Sequence, residues 1–165
     1  MSTNPTRTEA TIETDPNVPL FRITREFDAT AAQVIRAHTD PELFARWCGP
    51  DDLTTRVDHW DARTGGSWAF TNVRTNNPAE EYSFHGSFHE VSENRIVQTF
   101  TFDQLPDQVS LETLTVTDLG NGRCRLASQS LVDSFEARDA WIASGMETGI
   151  QEGYRKLDAV LANAQ

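Results

Sequence analysis

Glu112 lies where a charged side chain is unexpected. Leu114 and Val116 follow it at alternate positions, and residues two apart in a strand point to the same face of its sheet. We therefore predict that Glu112 points with them into the interior. Burial there would raise the pKa of the carboxyl group and make it a candidate acid, base or ligand contact. The structural alternative is a buried or rim salt bridge with Arg25 or Arg125.

His59 is the second candidate catalytic residue. It shares a predicted strand with Asp61, and a histidine beside a carboxylate can transfer a proton or hold a ligand. Asp61 also has a structural interpretation, because a carboxylate at a turn can fix the hairpin by bonding local backbone amides or Arg63. Both interpretations stay open at this point.

The sequence predicts neither a metal ion nor a cofactor. His85 and His89 have the spacing that binds zinc on a helix. They lie in a predicted strand, where four residues span about 13 Å, so the two side chains cannot share one ion. There is no Gly-x-Ser-x-Gly nucleophile motif. The pair Gly65-Gly66 stands alone between strands, unlike a phosphate-binding loop.

Aromatic side chains dominate the positions that alternation predicts to point inward with Glu112. The predicted ligand-binding residues are Trp68, Phe70, Tyr82, Phe84, Phe88, Gln98, Phe100, Glu112, Ser128 and Met146. Aromatic walls with a few placed polar groups are typical of a small-molecule pocket. Alternatively, the aromatic residues fill a solid core. An unpartnered buried polar group costs ~1–3 kcal/mol, so each polar member of the set needs a partner, a water or a ligand.

Alternating apolar positions and turn residues predict the strands that would carry these side chains. The predicted strands are 20–27, 53–61, 67–74, 81–91, 95–102, 110–119 and 123–131. Short turns between the last six imply an antiparallel meander. Two short helices are predicted between the first two strands, and the second of them starts with Asp40 as N-cap and Pro41 at its first position.

A helical period replaces alternation near the C-terminus and predicts one long helix from about residue 136 to 163. Its apolar positions are Trp141, Met146, Ile150, Tyr154, Leu157, Val160 and Leu161. Gly145, Gly149 and Gly153 share one face, and each glycine costs about 1 kcal/mol in a helix interior. Close packing against the sheet or a partner subunit would explain these glycines, and so would space left for a ligand.

Composition limits the classes of protein. The 165 residues suit one domain, and a net charge of −11 argues against nucleic-acid and anionic membrane partners. Cys48 and Cys124 are far apart, which predicts reduced thiols and a cytoplasmic location. Residues 1–19 are rich in Thr, Asn, Pro and acids, so we predict a disordered or loosely attached tail before a single domain over 20–163.

An ordered set of short motifs resembles one known family. The matching stretches are Thr39-Asp40-Pro41-Glu42, Trp47-Cys48-Gly49-Pro50, 61–66, Gly86 with Glu90-Val91, and 144–149 leading to Leu157. The chain resembles the stand-alone family named for the activator of the ninety-kilodalton heat-shock protein ATPase, within the START and polyketide-cyclase superfamily. The resemblance implies an α+β helix-grip fold: a curved antiparallel sheet of about seven strands around a long C-terminal helix, with two short helices after the first strand. It also implies a cavity between helix and sheet, and no single reaction.

Three functions compete. The leading hypothesis is a binding protein for an apolar or aromatic small molecule in that cavity. The alternative is a cyclase- or hydrolase-type enzyme that uses Glu112, His59 or Gln98 on a polarised carbonyl. A chaperone ATPase cofactor ranks third, because eukaryotic activators in that family carry an additional N-terminal domain and only a short segment precedes Leu20. The resemblance also makes a homodimer plausible.

Overall fold

The computed structural model describes residues 9–163, which form one antiparallel sheet and four helices. The strands are β1 (Thr11–Thr14), β2 (Leu20–Phe27), β3 (Leu53–Trp60), β4 (Ser67–Arg74), β5 (Asn77–Val91), β6 (Arg95–Phe102), β7 (Val109–Gly120) and β8 (Arg123–Leu131). Their order in the sheet is β1-β2-β8-β7-β6-β5-β4-β3. The predicted meander is therefore confirmed for β3 to β8, and β2 joins the sheet beside β8.

The N-terminal segment departs from the prediction of a loose tail over 1–19. Strand β1 pairs antiparallel with β2 and adds an eighth strand to the seven expected. The Gln151 side chain also bonds both the backbone N and the backbone O of Ala10, each at 2.9 Å. Backbone pairing at a sheet edge needs little apolar surface, so the polar composition of residues 1–19 gave no indication of this strand. The part of the tail prediction that falls on residues 1–8 lies outside the described residues.

The two short helices α1 (Ala31–Thr39) and α2 (Pro41–Trp47) follow β2, as predicted. Thr30 and Gln33 form a reciprocal capping box at the start of α1. The Asp40 carboxylate accepts hydrogen bonds from the first turn of α2. These caps fix where each helix begins, and α2 thereby brings its aromatic residues against the sheet.

The C-terminal region contains two helices where one was predicted over 136–163. Helix α3 (Phe135–Ala143) ends before Ser144-Gly145, and α4 (Met146–Asn163) begins directly after. Gly145 has a φ of +87°, whereas a right-handed helix needs a negative φ. The predicted long helix is thus α4 alone. Among the described helices, none is long and apolar enough to cross a membrane.

The core is tightly filled where β2, β7 and β8 meet the C-terminal half of α4. The side chains that are at most 1% exposed there are Phe27, Val116, Cys124, Leu126 and Leu157. Strand register brings them together, because Phe27 lies opposite Cys124 and Leu126 lies opposite Val116. The Phe27 and Tyr154 rings meet edge to face at 5.4 Å, which joins β2 to α4.

A candidate ligand-binding cavity

A cavity of about 330 Å³ lies between the concave face of the sheet and the helices, and it is partly open. All four tryptophans of the chain line it, and so do many of its phenylalanines. The lining aromatic residues are Phe21, Phe44, Trp47, Trp60, Trp68, Phe70, Phe84, Phe100, Trp141 and Tyr154. The rings contact one another: the centroid of the Phe44 ring lies 4.8 Å from that of Trp60 and 5.2 Å from that of Phe70. The cavity is therefore an aromatic chamber.

One wall of the chamber carries a row of polar side chains on three adjacent strands. Gln98, Glu112 and Ser130 lie directly opposite one another on β6, β7 and β8. Gln98 Nε2 donates to Glu112 Oε1 at 3.0 Å, and Ser130 Oγ donates to Glu112 Oε2 at 2.9 Å. Both carboxyl oxygens of Glu112 therefore accept a hydrogen bond from a neutral donor.

Glu112 lines the cavity, as predicted, and it is partly buried. Removal from bulk water raises the pKa of this carboxyl group, while the bonds from Gln98 and Ser130 lower it by a smaller amount. Glu112 is thus a carboxyl group for which the charged form is costly.

The alternative that Glu112 forms a salt bridge with Arg25 or Arg125 is wrong. Arg25 makes two hydrogen bonds to Asp158 of α4, at 2.6 and 2.7 Å. Its strand position pairs with Leu126, two alternate positions away from the Glu112 row. Arg125 lies one residue out of phase with the inward side chains of β8, and it pairs with Glu26 at 3.5 Å.

His38 of α1 is a polar lining residue that alternation along strands did not select. Its Nδ1 lies 2.7 Å from the Val34 carbonyl oxygen, so this nitrogen carries the proton and donates. Burial lowers the pKa of His38 to about 4. The ring is therefore neutral at neutral pH, and Nε2 is left as a hydrogen-bond acceptor.

Two further polar atoms of the lining residues have no hydrogen-bond partner within the described chain. The Trp68 indole nitrogen is buried and unpaired, and its ring packs against Gly86, where a Cβ would lie 2.6 Å from the indole. Tyr154 makes no hydrogen bond to a described residue, and burial raises the pKa of its phenol. The Trp68 nitrogen is enclosed by the protein, so of the two only the Tyr154 hydroxyl can bond an incoming molecule.

Most of the predicted ligand-binding residues line this cavity. They are Trp68, Phe70, Phe84, Gln98, Phe100, Glu112, Ser128 and Met146. Tyr82 and Phe88 do not line it. The Tyr82 hydroxyl donates to Glu80 Oε2 at 3.0 Å. Phe88 is buried, and the centroid of its ring lies 6.1 Å from that of Trp60. Alternation gives the face of a strand but not the distance of each residue from the cavity.

His59, the second candidate catalytic residue, is exposed and does not line the cavity. The register of β3 shifts between Val57 and His59, and this irregularity turns Trp60 inward in its place. His59 Nε2 instead bonds Ser67 Oγ at 2.8 Å at an exposed position. Asp61 accepts from Arg63 Nε at 3.0 Å, in agreement with its structural interpretation.

Apart from Met146, sequence reasoning missed the lining residues that belong to helices, and Trp47 is the clearest of them. Its indole donates to the Ala37 carbonyl oxygen at 2.9 Å, and its ring lies 4.8 Å from His38. The short apolar pattern of α2 indicates a buried face but not what that face covers. Among residues 9–163, no group of three or more His, Cys, Asp or Glu side chains could hold a metal ion.

A curved antiparallel sheet that holds a long C-terminal helix, with a cavity between them, defines the helix-grip class of START and polyketide-cyclase-like proteins, whose members typically bind ligands. The chain belongs to the family described as activator of Hsp90 ATPase homolog 1-like protein, whose model matches residues 28–162. None of the curated proteins compared with the chain matches it.

Solved structures share this fold. A protein from Arthrobacter aurescens, determined by NMR, has a TM-score of 0.83 and 23% identity, over 93% of this chain and 91% of that one. A crystal structure from Rhodobacter sphaeroides has a TM-score of 0.82 and 24% identity, over 94% and 99%. The AHSA1 protein from Silicibacter pomeroyi has a TM-score of 0.71 and 22% identity, over 88% and 99%. At these identities the likeness is one of fold.

Proposed function

We propose that the protein binds a small, largely apolar molecule in the chamber between the sheet and α4. The observation that carries this proposal is a cavity of about 330 Å³ with predominantly aromatic walls. Ligand sites commonly have volumes of about 300–1,000 Å³, with apolar walls and a few placed polar groups. The chamber lies at the small end of that range, which suits a compact ring system better than a long acyl chain.

The Tyr154 hydroxyl supports binding over a solid core. Tyr154 lines the chamber, and its hydroxyl finds no partner among the described residues. The packed core beside β2 and β8 shows that this chain can fill its interior where no space is needed. A ligand with a polar atom would satisfy the hydroxyl that the protein leaves without a partner.

Tryptophan fluorescence tests the proposal directly, because Trp47, Trp60, Trp68 and Trp141 all line the chamber. Titration with a panel of compact aromatic and alicyclic compounds should give a saturable change in emission. Absence of saturable binding across the panel would contradict the proposal.

A variant that fills the chamber supplies the control. Gly149 lines the cavity, and a Cβ there would meet only Pro50 Cδ at 3.7 Å. Gly149→Leu should therefore occupy part of the space and weaken binding. Thr148→Leu, one position away on the exposed side of α4, should bind as the wild type does.

A cyclase- or hydrolase-type reaction is the second candidate function, favoured by a carboxyl group of raised pKa inside the chamber. Glu112 would act as the acid or base, and Gln98 would polarise a carbonyl oxygen. Pairing with His59 is not available there, since His59 lies on the outside. Turnover of aryl esters that changes with pH, and that is lost in both Glu112→Gln and Gln98→Leu, would support this function. Turnover that survives both changes would remove it.

A chaperone ATPase cofactor is the third candidate, and the family description is what supports it. Failure of the purified protein to retain the chaperone in a pull-down would remove it. A homodimer and a cytoplasmic location also remain proposals. Gly149 and Gly153 face the chamber and α2, so a dimer would have to use another surface, such as the β3 edge, and light scattering would detect it.

A further inference from the structure

The chamber contains a carboxyl group and no cationic side chain. Among its lining residues, all of them in the described part of the chain, there is no lysine and no arginine. Glu112 is held only by the neutral donors Gln98 and Ser130. A buried carboxylate normally requires a paired cation or pays a large desolvation cost. The protein supplies hydrogen bonds to this group but not a countercharge.

Two basic side chains on elements that border the chamber, Arg25 and Lys156, have other partners. The Arg25 guanidinium makes two hydrogen bonds to Asp158, and it lies 4.5 Å from the centre of the Phe27 ring. Lys156 Nζ lies 3.5 Å from the Pro50 carbonyl oxygen and does not line the chamber. Neither side chain is placed to neutralise Glu112.

The walls around Glu112 suit a positive charge. The faces of tryptophan, tyrosine and phenylalanine rings attract cations within about 6 Å of the ring centroid, most strongly when water is excluded. Tyr154 feels the charge of Glu112, which raises the pKa of the phenol further. The Nε2 atom of His38 is an additional acceptor, since its Nδ1 is bound to Val34.

We infer that the ligand is an apolar amine: a compact aromatic or alicyclic body with one protonated nitrogen that donates a hydrogen bond to Glu112. This inference rests on the proposed binding function and specifies its ligand class. The cation would supply the countercharge that the chamber lacks, and the rings would pack against the body. A fatty acid or other carboxylate would meet Glu112 with no cation to bind.

A matched series of ligands tests the inference. The probes are 2-(2-naphthyl)ethylamine, 2-(2-naphthyl)ethanol and 2-naphthylacetate, which share one ring system and differ in charge. Calorimetric titration should give the tightest binding for the amine, by about tenfold over the alcohol, equivalent to about 1.4 kcal/mol, and the weakest for the acid. In Glu112→Gln the ratio of amine to alcohol affinity should fall to about one. Glu147→Gln, which alters an exposed acid of α4, should keep the wild-type ratio.

The outcomes separate this inference from the function on which it rests. If alcohol and amine bind equally, or if the acid binds best, the chamber binds ligands but the inference is wrong. If Glu112→Gln is folded and keeps the preference for the amine, the inference is also wrong. If no probe binds saturably and the wider panel also fails, the proposed function itself fails.

A pH titration of the wild type tests the same point without a variant. The amine-to-alcohol ratio should fall as the pH is lowered through the raised pKa of Glu112, before His38 gains a proton near its pKa of about 4. Cys48 and Tyr154 stay neutral throughout, because burial raises the pKa of each. A ratio that does not change over this range would overturn the inference.

Discussion

The concave face of this sheet has a filled end and a hollow end, and the same strands build both. At the filled end, Phe27, Cys124 and Leu126 are at most 1% exposed. Further along β8 and β7, Ser130 and Glu112 line the cavity. The difference follows the helices: Val34 of α1 and Leu157 of α4 are fully buried, whereas Gly149 and Gly153 of α4 have no side chain that could fill the cavity.

Charges differ between the two ends in the same way. Arg25 at the filled end is 3% exposed, and its guanidinium is matched by both oxygens of Asp158. Glu112 at the hollow end has two neutral partners and no countercharge among the lining residues. A charge that the fold pairs with an opposite charge is explained by folding, whereas a charge that lacks a countercharge is where a ligand can contribute.

The largest expected effect comes from removing packing at the filled end. Leu157→Ala should lower the free energy of unfolding by about 3 kcal/mol, because the site is closed and cannot refill the space. Ile150→Ala, on the same helix, borders the cavity already and should cost clearly less. Urea unfolding measures both values, and equal losses would show that the two ends do not differ in packing.

The next effect comes from the ion pair. Asp158→Ala should cost about 2–3 kcal/mol, because Arg25 would stay buried after losing its carboxylate. Breaking a fully buried ion pair costs about 3–5 kcal/mol. The expected cost is lower here because the Asp158 side chain is partly exposed. Asp51→Ala removes an exposed carboxylate 3.8 Å from Arg155 and should change stability little. A comparable loss in both variants would argue against a special status for the Arg25 pair.

The smallest effect concerns Glu112 and depends on pH. Its pKa is raised in the folded protein above the ordinary 4.5, so the folded state holds this proton more tightly than the unfolded chain does. Wild-type stability should therefore fall, relative to Glu112→Gln, as the pH rises from about 4.5 through the raised pKa. Thermal unfolding of both proteins over this range measures the difference. A difference that is constant with pH would contradict the raised pKa.

Much of the fold could be read from the sequence, because its elements depend on local patterns. Alternation located β4 and β6 with the bounds that the structure has, and Asp40 with Pro41 located the start of α2. The polar strand β1 was missed, since its stability comes from backbone pairing with β2. The sequence allowed a bend at Gly145 near the start of the helix but did not predict two separate helices, because a helical period continues in the side chains on both sides.

Alternation in the sequence is sufficient to predict which side chains share a face, and it places Glu112 and Gln98 on the same face as the aromatic residues. It could not determine whether those residues close a core or leave a chamber. That depends on distances between elements far apart in the chain, as where Gly149 and Gly153 of α4 lie against the end of α2 and the loop that follows it. The sequence could not assign ion-pair partners either. Only the packing of the elements brings Arg25 beside Asp158 and leaves no cation among the residues that line the cavity with Glu112. Alternation is a property of neighbours in sequence, whereas volume and countercharge are properties of neighbours in space.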